Sequence, residues 1–261
     1  MDIVKSINYK YWLDEFYEIV DLLDIKVDKT RFSGIKKLIK DLDKISYDDL
    51  WLISELQDFC EVYQQISKLN LEPLTIKSIV EGSPVISGEK NTTARDKFNE
   101  YKVKARFGKS GFNICEEYKG NDAKVEIDNK CFYIECKRVG SESKVESRVN
   151  KAYKQLGENK LNGIITIDVS KIVYKMFNND ANAFIQGSHK VKDVINDLFN
   201  SYLLQSHKDK LNEICAVVIH CRYPFYVAGS INIMNHFHAI YVESDEVKFL
   251  LKKLRIGTGK I

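Results

Sequence analysis

One stretch constrains this chain more than any other: Asn121 to Arg138, which reads as a β-hairpin. Val125 and Ile127 alternate with Lys124, Glu126 and Asp128, the pattern of a half-buried strand. Asp128-Asn129 is turn chemistry, because both residues tolerate a left-handed backbone. Cys131 to Cys136 is an aromatic and β-branched run suited to a covered strand. Glu135, Lys137 and Arg138 gather at its end, and period two sends Glu135 and Lys137 to one face. A carboxylate and an ammonium leaving an apolar strand together form either an ion pair or an active site.

Around the hairpin, the spacing predicts a helix from Thr92 or Thr93 to Phe107, with Ala94, Phe98, Tyr101 and Ala105 as its stripe. A strand follows over Phe112–Tyr118. After the hairpin come a helix over 143–159, burying Val145, Val149, Ala152, Tyr153 and Leu156, and a strand from Ile164 to Val169. Further elements are expected at 190–206 (helix), 214–220 and 237–242 (strands) and 245–255 (helix), extending the same sheet. Upstream, amphipathic patterns predict helices over 9–23, from Thr30 to Leu42, and from the Ser46/Asp49 capping signal to Leu69. The fold class expected is α/β, with an all-helical subdomain at 1–85 ahead of a domain at 86–261.

Charge divides along the same line. Residues 1–85 carry 11 Lys/Arg against 16 Asp/Glu, a net of −5; residues 86–261 carry 29 against 21, a net of +8. A polyanion would prefer the second part. No apolar run is long enough to span a membrane, the N-terminus has no signal-peptide core, and the six cysteines form no CxxC pair. A cytoplasmic protein with free thiols and no membrane partner is expected.

Asp122 lies thirteen positions before Glu135, on the adjacent strand of the hairpin. Two carboxylates brought together repel unless a cation neutralises them. Mg²⁺ (or Mn²⁺) is the expected ion, since it takes oxygen ligands and keeps its waters. Lys137 would serve an attacking water or the developing phosphorane charge. Those parts suffice for metal-assisted phosphodiester hydrolysis. Glu117 and Glu126 are rivals for the first acid, and Glu126 shares a face with Asp122 by period two.

Asn121-Asp122, twelve residues, then Glu135-Cys136-Lys137 resembles the PD-(D/E)xK motif of the restriction-endonuclease-like nucleases, with Asn121 in place of the proline. The order helix, three strands, helix, strand over about 92–170 is similar to that superfamily's αβββαβ core with its mixed sheet. The resemblance implies a metal-dependent endonuclease in which Asp122, Glu135 and the Cys136 carbonyl bind metal and Lys137 assists the water. It also implies supporting roles for Glu100 on the first core helix and Gln155 on the second. Lys144, Arg148 and Lys151 form, with Gln155, a polar stripe suited to phosphate contacts. Arg95, Asn99, Lys102 and Arg106 have the same spacing on the earlier helix. The expected function is DNA hydrolysis, in bacterial defence or repair, as a homodimer or with a partner protein. The alternative is a degenerate nucleic-acid-binding or scaffold module.

Overall fold

The computed structural model describes residues 3–40, 45–66, 73–86, 88–115, 120–127, 129–177, 191–198, 200, 213–227, 229–241 and 244–256. In chain order these give β1 (Ile3–Ser6), α1 (Tyr9–Leu22), α2 (Ile35–Leu38), α3 (Tyr47–Ile66), α4 (Pro73–Val80), α5 (Thr93–Lys109) and β2 (Ile114–Cys115). Then follow β3 (Ala123–Ile127), β4 (Lys130–Arg138), α6 (Val145–Leu156), β5 (Gly163–Asp168), α7 (Ser170–Phe177), β6 (Ala216–Val227), β7 (Ser230–Tyr241) and α8 (Asp245–Ile256). The protein is α/β with a mixed sheet, ordered β1-β7-β6-β5-β4-β3-β2. β2, β3 and β4 are successive antiparallel neighbours, while β4, β5 and β6 run parallel.

Two compact units share the chain. One comprises residues 1–3, 103–222 and 235–261, the other 4–102 and 223–234. The boundary therefore falls inside α5, not at residue 85, and the tips of β6 and β7 go with the N-terminal helices.

In the first unit, one sheet face carries Ala123, Val125, Phe132, Ile134, Cys136, Ile164 and Val218. Val103 and Phe107 of α5 and Val247, Leu250, Leu251 and Leu254 of α8 cover it. Each such aliphatic or aromatic side chain contributes about 1.5–3 kcal/mol on burial. Glu135 and Lys137, one residue out of phase, point to the opposite face. There α6 packs on β4 and β5 through Val145, Val149, Ala152 and Leu156. The close return into β5 needs Gly163, where a Cβ would lie 2.5 Å from Leu156 Cδ1 and 3.0 Å from the Lys160 carbonyl.

In the second unit, Phe16, Phe32 and Phe59 meet with ring centroids 5.1–6.1 Å apart. Ser46 and Asp49 cap α3 reciprocally: Asp49 N–H donates to Ser46 Oγ at 3.2 Å and Ser46 N–H to Asp49 Oδ2 at 3.0 Å. Residues 3–6 form a strand beside β7, so the N-terminal region is not all-helical.

Thr30 does not start a long helix. Its hydroxyl donates to the Val27 carbonyl at 2.8 Å and accepts from Phe32 N–H at 3.2 Å, and among the described residues of this stretch only Ile35–Leu38 is α-helical. α7 was not expected. The polar residues after Ile167 close a strand and begin a helix, because Ser170 N–H donates to Asp168 Oδ1 at 2.8 Å. The strands expected at 214–220 and 237–242 overlap the much longer β6 and β7, Gly229 just before β7 has φ 76°, and residue 242 lies outside the described residues. Part of the strand expected at 112–118, and most of the helix expected at 190–206 beyond 191–198, lie outside the described residues.

Candidate functional site

The hairpin turn is tight. Ile127 pairs with Lys130 and Asn129 has φ 65°, so two residues join β3 to β4. That register runs through Val125–Phe132 to Ala123–Ile134. One step further sets Asp122 opposite Glu135, and directly opposed residues of an antiparallel pair share a face. Turn length and strand period thus bring two carboxylates together on the α6 side of the sheet.

Atom by atom, the pair is bridged by Lys137. Its Nζ lies 2.9 Å from Glu135 Oε2, 3.7 Å from Asp122 Oδ2 and 3.1 Å from the Cys136 carbonyl oxygen. The Cys136 amide donates to Asp122 Oδ2 at 2.7 Å, which turns that carboxylate back over β4. Glu135 is fully buried, and its second oxygen, Oε1, has no hydrogen-bond partner among the described residues. Burial above all, and the neighbouring Asp122, push the Glu135 carboxyl up to about 7, although Lys137 pulls the other way. Burial opposes the charge on Lys137, but Asp122 and Glu135 outweigh it and raise its pKa. Lys137 therefore stands as an ammonium while both carboxylates face it.

A divalent ion fits this donor set. Two carboxylates and one carbonyl converge on a single cation, they are the hard oxygen donors Mg²⁺ prefers, and the orphaned Glu135 Oε1 is a buried acceptor awaiting a partner. No cluster of three or more His, Cys, Asp or Glu side chains occurs among the described residues. Waters and a carbonyl would complete the shell here, as is usual for Mg²⁺. The separated histidine and cysteine pairs, His220-Cys221 and His236/His238, form no such cluster.

Other expected residues fall in different places. Glu126 is exposed and pairs with Cys131, four residues or about 13 Å along β4 from Glu135. Glu117 lies outside the described residues. Glu100 is half-buried on the part of α5 that belongs to the second unit. Gln155 is exposed near the end of α6. Lys144 and Lys151 are exposed and Arg148 half-buried, so this stripe lies open to solvent.

The stripe on α5 does not. Arg95 donates to Glu55 at 2.7 and 3.0 Å and to Glu89 at 2.9 Å, and Lys102 pairs with Asp58 at 3.5 Å. Arg106, buried, lies 3.4 Å from His220 Nδ1. Arg95, Lys102 and Arg106 are thus engaged inside the protein and do not form the open phosphate-binding stripe their spacing suggests. Asp168, at the end of β5, is buried and caps α7, and Ser170 Oγ both donates to it and accepts from Arg222 N–H at 3.1 Å. The Asp-x-Ser spacing is the signal that could have disclosed this cap.

Comparison with known protein families, with curated proteins and with solved structures found no match in any of the three.

Proposed function

We propose that this protein is a divalent-metal-dependent nuclease of the PD-(D/E)xK kind, hydrolysing phosphodiester bonds of DNA at the Asp122–Glu135–Lys137 cluster. The observation that carries the reading is the convergence of Glu135 Oε2, Asp122 Oδ2 and the Cys136 carbonyl on one positive charge, with Glu135 Oε1 left over. The sequence order α5-β2-β3-β4-α6-β5, an antiparallel meander followed by a parallel crossover, supports a restriction-endonuclease-like core.

In this reading Asp122, Glu135 and the Cys136 carbonyl hold Mg²⁺ or Mn²⁺. The ion supplies Lewis-acid polarisation of the phosphoryl group and a water acidic enough to react near neutral pH. The chain's own residues do the rest. The Cys136 amide fixes Asp122, the β4 backbone fixes Glu135, and Lys137 carries positive charge to where the pentavalent phosphorus would accumulate negative charge. Kept protonated by two carboxylates, Lys137 is an electrostatic stabiliser before it is a base. Lys144, Arg148 and Lys151 offer phosphate contacts that set the position of the strand without reading its sequence.

Supercoiled plasmid incubated with Mg²⁺ or Mn²⁺ tests this. The wild type should nick or linearise it, and Glu135→Ala and Lys137→Ala should not. Cleavage that survives both substitutions would place the chemistry elsewhere. A wild type that binds DNA and never cleaves it would make the protein a binding module.

A further inference from the structure

Lys137 occupies a telling position. Its ammonium touches the same three oxygens that a divalent ion would use: Glu135 Oε2 at 2.9 Å, the Cys136 carbonyl at 3.1 Å and Asp122 Oδ2 at 3.7 Å. A Mg²⁺ bound to those atoms would sit about 2.0–2.1 Å from each. The ammonium and the ion cannot occupy that space together, and their like charges exclude each other as well.

We propose that Lys137 is a built-in substitute for the divalent cation: it holds the metal-free carboxylate pair together and must swing out before the ion can enter. This inference rests on the metal-site reading of Asp122 and Glu135 given above. Without any cation the hairpin would bring two carboxylates face to face on a covered sheet surface, one of them fully buried. The ammonium relieves that repulsion. A lysine suits the task, because a compact charge on a flexible four-carbon stem can leave, whereas a planar guanidinium forked onto two carboxylates is held more firmly. Ion entry and lysine release are then one exchange. The released ammonium, freed from its carboxylates, becomes available to substrate only when the ion is in place. The site would thus be charged for catalysis by the ion itself and stay closed to anionic substrate chemistry at low ion concentration.

The exchange makes a prediction opposite in sign to the usual loss on mutating a site residue. Removing the lysine's charge removes the competitor. Mn²⁺ binding, followed by calorimetry on the purified full chain without DNA, should be roughly tenfold tighter or more in Lys137→Met than in wild type. Lys137→Arg keeps a cation in place and should bind no more tightly than wild type. Lys137→Gln serves as a second neutral variant if the methionine does not fold, judged by thermal melting.

Binding by Lys137→Met or Lys137→Gln that is equal to or weaker than wild type overturns the exchange and makes Lys137 a fixed strut. That result leaves the nuclease reading standing, provided Asp122→Asn abolishes the wild-type binding. Binding that Asp122→Asn leaves untouched, or no Mn²⁺ binding by any form, overturns the metal-site reading and this inference with it.

Discussion

Asp122 stands across the β3–β4 register from Glu135, and its Oδ2 is held by the amide of the very next residue, Cys136, at 2.7 Å. A backbone donor of this kind sets where the carboxylate points without depending on any side chain. It also separates Asp122 from Glu126, which shares its strand face but lies out along the hairpin, exposed and opposite Cys131. Asp122→Asn should therefore lower Mg²⁺-dependent cleavage by more than the roughly 10–100-fold typical of groups that only orient a ligand. Glu126→Gln should leave it within about twofold of wild type. The reverse pattern in a plasmid-nicking time course would assign the first acid to Glu126.

The Glu135 carboxyl, raised to about 7 by burial and by Asp122, links the site to pH. An acid whose folded value lies above its ordinary one stabilises the fold relative to high pH. That contribution is complete below about 4.5 and is lost as pH rises through 7. Glutamine mimics the protonated carboxyl, so Glu135→Gln should melt above wild type at pH 8 in EDTA. The gain should be about 1–3 kcal/mol, or several degrees, and should shrink towards pH 5. An Glu135→Gln melting point at or below wild type at pH 8 would show that the carboxylate is not under strain. For the same reason ion uptake by wild type should strengthen as pH rises through 7, since the metal binds the deprotonated acid.

Much of the fold was legible in the sequence, and the failures have physical causes. The two periodicities located α1 and α6, which bury one stripe, and β3, whose buried residues alternate; α3 and β4 were legible as apolar runs although they are covered on more than one side. Period two could not choose between Asp122 and Glu126, since both lie on one face. The two-residue turn does choose, because pairing Ile127 with Lys130 fixes every later partner. The α5 stripe misled because its partners, Glu55 and Asp58, lie some forty residues away in sequence. A buried ion-paired face and a solvated one have the same spacing. Thr30 misled because its side chain bonds to nearby backbone and redirects it.

The buried ion network of the second unit is a stability device. Arg31 is fully buried, donates to Glu55 Oε2 at 2.9 Å and to the Glu81 carbonyl at 3.2 Å, and lies over the Phe32 and Phe98 rings. Arg95 shares the same Glu55. Glu55→Ala would leave two guanidinium groups buried with one shared partner gone, and should cost about 3–5 kcal/mol in urea unfolding. A loss under about 1 kcal/mol would mean that water replaces the carboxylate freely.

Lys144 and Lys151 are the exposed members of the α6 stripe. Lys144→Ala combined with Lys151→Ala should weaken binding to duplex DNA to a similar degree whatever its sequence. It should also flatten the dependence of log affinity on log salt by about two. An unchanged salt slope would show that nucleic acid approaches from another side.

Whether Asp122 and Glu135 hold a divalent ion is decided by anomalous scattering from crystals grown with saturating Mn²⁺. One strong peak should lie in bonding contact with Asp122, Glu135 and the Cys136 carbonyl, with the Lys137 ammonium moved off its present 2.9 Å contact with Glu135. A map with no peak there, or with the ion at other acids while Lys137 still bridges the pair, would contradict the metal site.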